Sequence, residues 1–167
     1  MILFLQNIAR FILVLLVQVF VLNNIRFSGF INPYIYILFI LLLPTRFPRS
    51  LSLILGFITG LIIDSFTNTP GIHAFATVLL AYLRNPVIKA FTSIEEGVNP
   101  VPGFYGFGVG PFIKYVVTLV LLHHTAFFFL EVFSFMNAGQ TVLRILMNSF
   151  VTITLIIGLQ SLKSGKT

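Results

Sequence analysis

The chain has 167 residues, of which 57% are hydrophobic and 8% are charged, and its mean hydropathy is +1.05. A soluble domain of this length cannot bury so much apolar surface in its own core, so the composition predicts a membrane protein. The formal charge of +6 suits basic loops on the cytoplasmic side of a membrane, and we expect lipid, not nucleic acid, as its partner. Because the chain contains no cysteine, disulfides and thiolate metal sites are excluded.

Six hydrophobic segments follow one another along the chain. Their approximate bounds are 2–22, 31–43, 51–66, 70–83, 111–135 and 140–162. A membrane crossing needs about 20 apolar residues, so the first, fifth and sixth segments are long enough to cross as helices. The second to fourth are short, which leaves tilted, locally thinned or partly re-entrant arrangements open. We predict an all-α, polytopic membrane protein with six transmembrane helices in a single domain, residues 1–167.

The boundaries of these helices are predicted from capping residues and prolines. Asn32-Pro33 is expected to open the second helix as N-cap and first-turn residues, and Pro44 to close it. Pro86 is expected to bend any continuation of the fourth helix. The N-terminal apolar run has neither a basic region before it nor a small-residue cleavage site after it, so we expect it to remain as an anchor.

Basic residues predict the orientation of the bundle. If all six segments cross, Arg26 and Arg144 fall on one side of the membrane. The other eight fall on the opposite side: Arg10, Arg46, Arg49, Arg84, Lys89, Lys114, Lys163 and Lys166. The positive-inside rule then places the larger group and both termini in the cytoplasm. Losing one segment would mix the two groups, whereas a re-entrant hairpin of the third and fourth segments would preserve them.

The longest connection, at about residues 92–110, is a cytoplasmic loop in this topology. It contains Glu95-Glu96 and a glycine-rich stretch over residues 103–110. The stretch lacks the Gly-Lys-Ser/Thr ending of a phosphate-binding loop, so we interpret it as a flexible connection. The alternative is that its aromatic residues lie on the membrane surface or contact a partner.

Gly56, Gly60 and Asp64 are spaced four residues apart in an almost wholly apolar run, so they lie along one side of the third helix. The glycines allow another backbone to approach closely, and a carboxylate among apolar residues is costly without a partner. This side is therefore a predicted helix-packing surface. Three interpretations of Asp64 stay open: a cap or brace for the following turn, a specific protein contact, or proton or ion coupling.

The fifth segment carries the other polar cluster. Adjacent helical residues point about 100° apart, so His123 and His124 cannot easily bind one metal ion. We predict interhelical hydrogen bonds for them, and no metal or cofactor. Glu131 lies about two turns before the connection at residues 137–139 and Arg144 about as far after it, so we predict a structural ion pair across a helical hairpin.

Catalytic motifs are absent from the sequence. It contains no Gly-x-Ser-x-Gly elbow, no His-Glu-x-x-His motif and neither a Rossmann nor a Walker pattern. We therefore predict that the protein is not an enzyme.

The central part of the chain resembles the MreD family of bacterial rod shape-determining membrane proteins. The resemblance lies in Gly60-Leu61-Ile62-Ile63-Asp64, a short polar turn, Pro70-Gly71-Ile72-His73-Ala74-Phe75 and the run ending Ala81-Tyr82-Leu83. Gln18 and Asn32-Pro33 are similar to the early region of that family, and the length and six-helix layout fit the whole chain. The loop at residues 92–110 is not part of the pattern.

This resemblance implies a non-enzymatic component of the cell-elongation (rod) complex in the bacterial inner membrane. Such proteins bind MreC, a single-span periplasmic partner, and through it couple the MreB filament to the peptidoglycan synthase RodA and its penicillin-binding transpeptidase. On this basis we expect five residues to form or support the MreC-binding surface: Gly56, Gly60, Asp64, Gly71 and His73. The basic inner loops are expected to contact lipid or cytoplasmic partners.

A second function stays open, that of a small-molecule transporter subunit. An example is the six-helix substrate-binding component of energy-coupling-factor vitamin transporters, whose helical bundle MreD-like proteins are thought to share. Fold alone does not separate the two functions. Those subunits often have alanines four residues apart in their first helix, whereas this chain offers only Ala9 there. Stoichiometry, the partner-facing helix and the presence of a ligand pocket do not follow from the sequence.

Overall fold

A computed structural model describes residues 2–25, 31–94, 98–133 and 137–164, with side chains described within residues 8–162. The α-helices are α1 (Ile2–Leu16), α2 (Leu38–Leu41), α3 (Arg49–Thr67), α4 (Ile72–Phe91), α5 (Phe104–Phe107), α6 (Val109–Val132) and α7 (Ala138–Ser164). A π-helical turn (Val17–Val21) and a 3₁₀ turn (Leu22–Asn24) continue α1, and a second 3₁₀ turn (Ile35–Ile37) precedes α2.

Some sequence predictions concern residues outside this description. They are both chain termini, Arg26, the Glu95-Glu96 pair, the predicted helix end near Phe135, and the side chains of Lys163 and Lys166.

Four helices, α3, α4, α6 and α7, are long and apolar enough to cross a membrane, and a shorter apolar helical stretch covers Ile8–Asn24. The prediction of an all-helical membrane protein is therefore confirmed. The third and fourth segments are longer than predicted, because α3 has 19 residues and α4 has 20. The helix α4 continues through Pro86 for five further residues, where the sequence analysis expected the segment to fade near Leu83.

The second segment departs most from the prediction. Only Ile35–Ile37 and Leu38–Leu41 are helical in it, so Asn32-Pro33 does not open a long helix. The number of membrane crossings stays a prediction. Every residue from Tyr34 to Leu43 is buried. A continuous apolar run is compatible with a lipid-facing helix and with an irregular segment enclosed by protein, and periodicity does not separate them.

This segment runs from one end of the bundle to the other between the long helices. At one end the Asn32 N–H donates to the side chain of Asn148 on α7, and we call this the Asn32 end. At the other end the Thr45 N–H donates to the Pro100 carbonyl. We call that the basic end, because three cations line a hollow there: Arg46, Arg49 and Lys89.

Helices α3 and α4 form an antiparallel hairpin in which the backbones approach closely at Gly60. A Cβ added at Gly60 would lie 2.5 Å from both Ala74 N and the His73 carbonyl oxygen. One added at Gly56 would lie 3.1 Å from the Thr77 carbonyl oxygen. The glycine side of α3 therefore packs against α4. The groove expected to receive a partner helix is filled from within the chain, so these glycines offer no free surface to a second protein.

We predict that Gly60→Ala lowers the free energy of unfolding by about 1–3 kcal/mol, because the added methyl group overlaps the backbone of Ala74. The matched control is Gly158→Ala on α7, where an added Cβ meets nothing within 4 Å and alanine favours the helix by about 0.5–1 kcal/mol. Thermal unfolding of both variants in the same detergent provides the measurement. A Gly60→Ala midpoint at or above that of the control would contradict this contact.

Candidate functional site

Asp64 lies near the end of α3 and is only 4% exposed. Its Oδ1 accepts the His73 N–H and its Oδ2 accepts the Ala74 N–H, both at 2.9 Å. The Thr69 hydroxyl donates to Oδ1, also at 2.9 Å. His73 and Ala74 stand in the first turn of α4, where a helix leaves its own N–H groups unpaired. Asp64 therefore caps α4 and places negative charge at the positive end of its dipole.

Two residues with positive φ shape the turn between α3 and α4. Asn68 follows α3 with a φ of 57°, and Gly71 precedes α4 with a φ of 83°. Gly71 is exposed and has open space around it, so glycine is required there for its backbone conformation and not for close packing. The motif that carries the MreD resemblance thus forms one hairpin held by hydrogen bonds.

Gln18 supplies hydrogen bonds where the second segment is not helical. Its side chain is fully buried. Oε1 accepts the N–H of Ile35 at 2.7 Å and that of Tyr36 at 3.2 Å, and Nε2 donates to the Pro33 carbonyl at 3.1 Å. One side chain therefore satisfies three backbone groups that a regular helix would satisfy internally.

Two other helices hold the same segment. The Thr152 hydroxyl on α7 accepts the Tyr34 N–H at 3.1 Å. The Tyr115 hydroxyl on α6 donates to the Leu41 carbonyl at 2.9 Å. Both hydroxyl-bearing residues are fully buried.

Arg84 on α4 holds the second segment at the basic end. The sequence analysis counted it among the cations that set orientation, but it is buried, with 1% exposure. Its Nη2 donates to the carbonyls of Leu43 and Pro44. Together with Asn148 these side chains hold the segment along its length. We call the set the polar clamp: Gln18, Arg84, Tyr115, Asn148 and Thr152.

We predict that Gln18→Leu lowers the free energy of unfolding by about 3 kcal/mol or more, since each buried group left unpaired costs about 1–3 kcal/mol. Gln140→Leu is the matched control, because Gln140 is exposed in the first turn of α7. Chemical unfolding in mixed micelles can measure both variants. Equal stability of the two would show that Gln18 does not hold the second segment.

Three buried histidines lie within the bundle. The Tyr36 hydroxyl is 2.8 Å from His73 Nδ1 and 2.9 Å from His123 Nε2, so it is hydrogen-bonded to both rings. His124 Nε2 lies 3.4 Å from the Thr152 hydroxyl. The predicted interhelical hydrogen bonds of the histidines are present. In the part of the chain that the structure describes, no group of three His, Cys, Asp or Glu could hold a metal ion.

Glu131 and Arg144, which the sequence analysis paired, form an ion pair across the α6–α7 hairpin. Arg144 Nη2 lies 2.8 Å from Glu131 Oε2, and the guanidinium carbon is 4.7 Å from the centre of the Phe128 ring. Each side chain of the pair is 31% exposed. A partly exposed pair of this kind contributes about 0–1 kcal/mol to stability, so its main effect is on the geometry of the hairpin.

A cavity of about 440 Å³ lies at the Asn32 end, bordered by the end of the first segment, the α3–α4 turn, α6 and α7. Its lining combines polar and aromatic side chains. The lining side chains include Asn23, Asn32, Tyr34, Phe127, Glu131 and Arg144.

The structure shows where the five residues predicted to form or support a partner-binding surface lie. Gly56, Gly60, Asp64 and His73 are buried in contacts within the chain, and Gly71 is exposed on the hairpin turn. These residues fix the hairpin, and their contribution to a partner-binding surface stays a prediction. The polar clamp was not predicted as a group.

Comparison of the chain with protein-family models, with curated proteins and with solved structures gives no match. The class of the protein comes from the structure alone. Its helices have the length and apolar composition of a helical membrane protein.

Proposed function

We propose that this protein is a non-enzymatic, MreD-like component of the bacterial cell-elongation complex, embedded in the inner membrane and bound to MreC. Through MreC it would reach MreB, RodA and the penicillin-binding transpeptidase. The main support is that the motif resembling MreD folds as one unit. Gly60 contacts α4, Asp64 caps it and Gly71 shapes the turn between the helices.

We place the basic end in the cytoplasm. Arg46, Arg49 and Lys89 lie around the hollow at that end, whereas Arg144 lies beside the cavity at the Asn32 end. This sorting follows the positive-inside rule. The proposed topology keeps six crossings. Four are the long helices, one is α1 with its continuation, and one is the irregular second segment.

The proposed MreC-binding surface is an apolar groove between α1 and α3. The groove has a volume of about 210 Å³ and only apolar lining: Ile12, Leu15, Leu16, Val19, Phe20, Ile62 and Phe66. Ile62 lies about 200° around α3 from Gly60, so this groove is on the side of α3 away from α4. A single transmembrane helix with an apolar face fits such a surface.

A pair of matched double variants tests this groove. Leu16 and Phe20 are 48% and 66% exposed on the α1 side of the groove, and Leu146 and Phe150 have the same spacing on α7 with 53% and 70% exposure. Alanine at Leu16 and Phe20 should reduce co-purification of tagged MreC about tenfold, because the truncations remove van der Waals packing against the partner helix and tenfold corresponds to about 1.4 kcal/mol.

Alanine at Leu146 and Phe150 should leave MreC recovery unchanged, with equal expression of both variants. Equal recovery of MreC with the two variants would reject the α1–α3 groove. Depletion of the protein in its own cells tests the wider function, and retention of rod shape would reject a role in elongation.

The second candidate is a small-molecule transporter subunit. The cavity at the Asn32 end supports it, because polar clefts beside an irregular crossing segment are typical of membrane transport sites. Co-purification with a pair of ATPase subunits, together with loss of small-molecule uptake and normal cell shape on depletion, would favour this candidate over the first.

A further inference from the structure

The cavity at the Asn32 end contains polar groups whose hydrogen bonds are incomplete. Among the described residues, three buried atoms on its lining side chains have no partner: Asn23 Nδ2, Asn32 Oδ1 and Arg144 Nε. The same side chains are otherwise held, since Asn23 Oδ1 accepts from Gln18 and Arg144 Nη2 contacts Glu131. Unpaired polar atoms are costly away from water, and their grouping in one cavity indicates a missing ligand.

The unpaired atoms define a pattern of two N–H donors and one carbonyl acceptor. A secondary amide is complementary to this pattern, because its oxygen accepts two hydrogen bonds and its N–H donates one. We propose that the cavity binds a small, uncharged ligand through a secondary amide group. The three atoms are covered in this structure, so binding requires a local shift of the side chains around them.

The charge of the cavity favours an uncharged ligand. Glu131 and Arg144 both line it, and they neutralise each other at 2.8 Å. An ionic ligand would have to compete with this pair and would lose its own hydration on entry. An uncharged amide does not compete with this ion pair, and it costs less to dehydrate than an ion.

Aromatic walls determine what the rest of the ligand can be. The rings of Tyr34 and Phe127 are 5.1 Å apart, and the ring of His73 lies 4.4 Å from that of Phe127. Such a surface favours a ligand with an apolar face. A volume of about 440 Å³ accepts a molecule the size of a monosaccharide.

The choice of ligand class rests on the proposed function. A protein of the cell-elongation complex would meet the sugars of the cell wall. Amino sugars of the cell wall with an N-acetyl group carry an uncharged secondary amide on a ring that has an apolar face. The proposed orientation puts the cavity on the side of the membrane where such sugars occur.

The experiment is calorimetric titration of the protein in lipid nanodiscs with three sugars. N-acetylglucosamine carries the amide, glucose has a hydroxyl in its place, and glucosamine has a cation there. We expect N-acetylglucosamine to bind saturably and at least about tenfold more tightly than the other two, the factor for one well-formed hydrogen bond.

Two variants test the assigned atoms. Arg144→Lys keeps the charge opposite Glu131 and removes the Nε donor, and Asn32→Ala removes an oxygen that has no partner. Each should weaken N-acetylglucosamine binding about tenfold with little change in thermal stability. Arg10→Lys, on α1 and outside the cavity lining, should leave binding unchanged.

Absence of saturable N-acetylglucosamine binding, equal affinity for the three sugars, or equal affinity in all variants would overturn the proposal. The outcome is independent of the MreC assay, because the Leu16 and Phe20 variants lie outside the cavity lining. Loss of MreC binding with sugar binding intact would show that the two surfaces act separately.

Discussion

Backbone hydrogen bonding inside a membrane is the constraint on which this structure depends. Each unpaired N–H or C=O in hydrocarbon costs several kcal/mol, which is why membrane-spanning segments are normally regular helices. Only a short stretch of the second segment is helical, Ile35–Ile37 and Leu38–Leu41, and side chains of the polar clamp pair with backbone groups at both ends of it. The long helices and α1 thus surround this buried segment.

The same constraint connects the fold to the candidate sites. Asp64 meets this constraint at the start of α4, where N–H groups that the helix leaves unpaired donate to its carboxylate. At the Asn32 end, among the described residues, the buried atoms without a partner are on side chains: Asn23 Nδ2, Asn32 Oδ1 and Arg144 Nε. The apolar α1–α3 groove has no such requirement, since its side chains can face either lipid or a partner helix.

Local patterns in the sequence predicted local features well. Four-residue spacing placed Gly56, Gly60 and Asp64 on one packing surface, and distance from a turn paired Glu131 with Arg144. The helix that packs against the glycine surface could not be predicted, because residue spacing does not show which helix lies next to it. The prediction of a continuous helix in the second segment was wrong for a related reason. Hydropathy does not distinguish a segment buried in protein from one buried in lipid. The polar residues Gln18, Asn148 and Thr152 inside apolar runs were a signal that they bind the backbone of another segment.

The most direct test of the account is amide hydrogen exchange at Tyr34 in Thr152→Val, measured by NMR in nanodiscs. Valine keeps the shape of threonine and removes only the hydroxyl that accepts the Tyr34 N–H at 3.1 Å. The account predicts slow exchange in the unaltered protein and exchange at least about tenfold faster in the variant, with the amides of Val116 and Leu119 on α6 unaffected. Fast exchange at Tyr34 before the substitution, or an unchanged rate after it, would contradict an enclosed segment held by side chains.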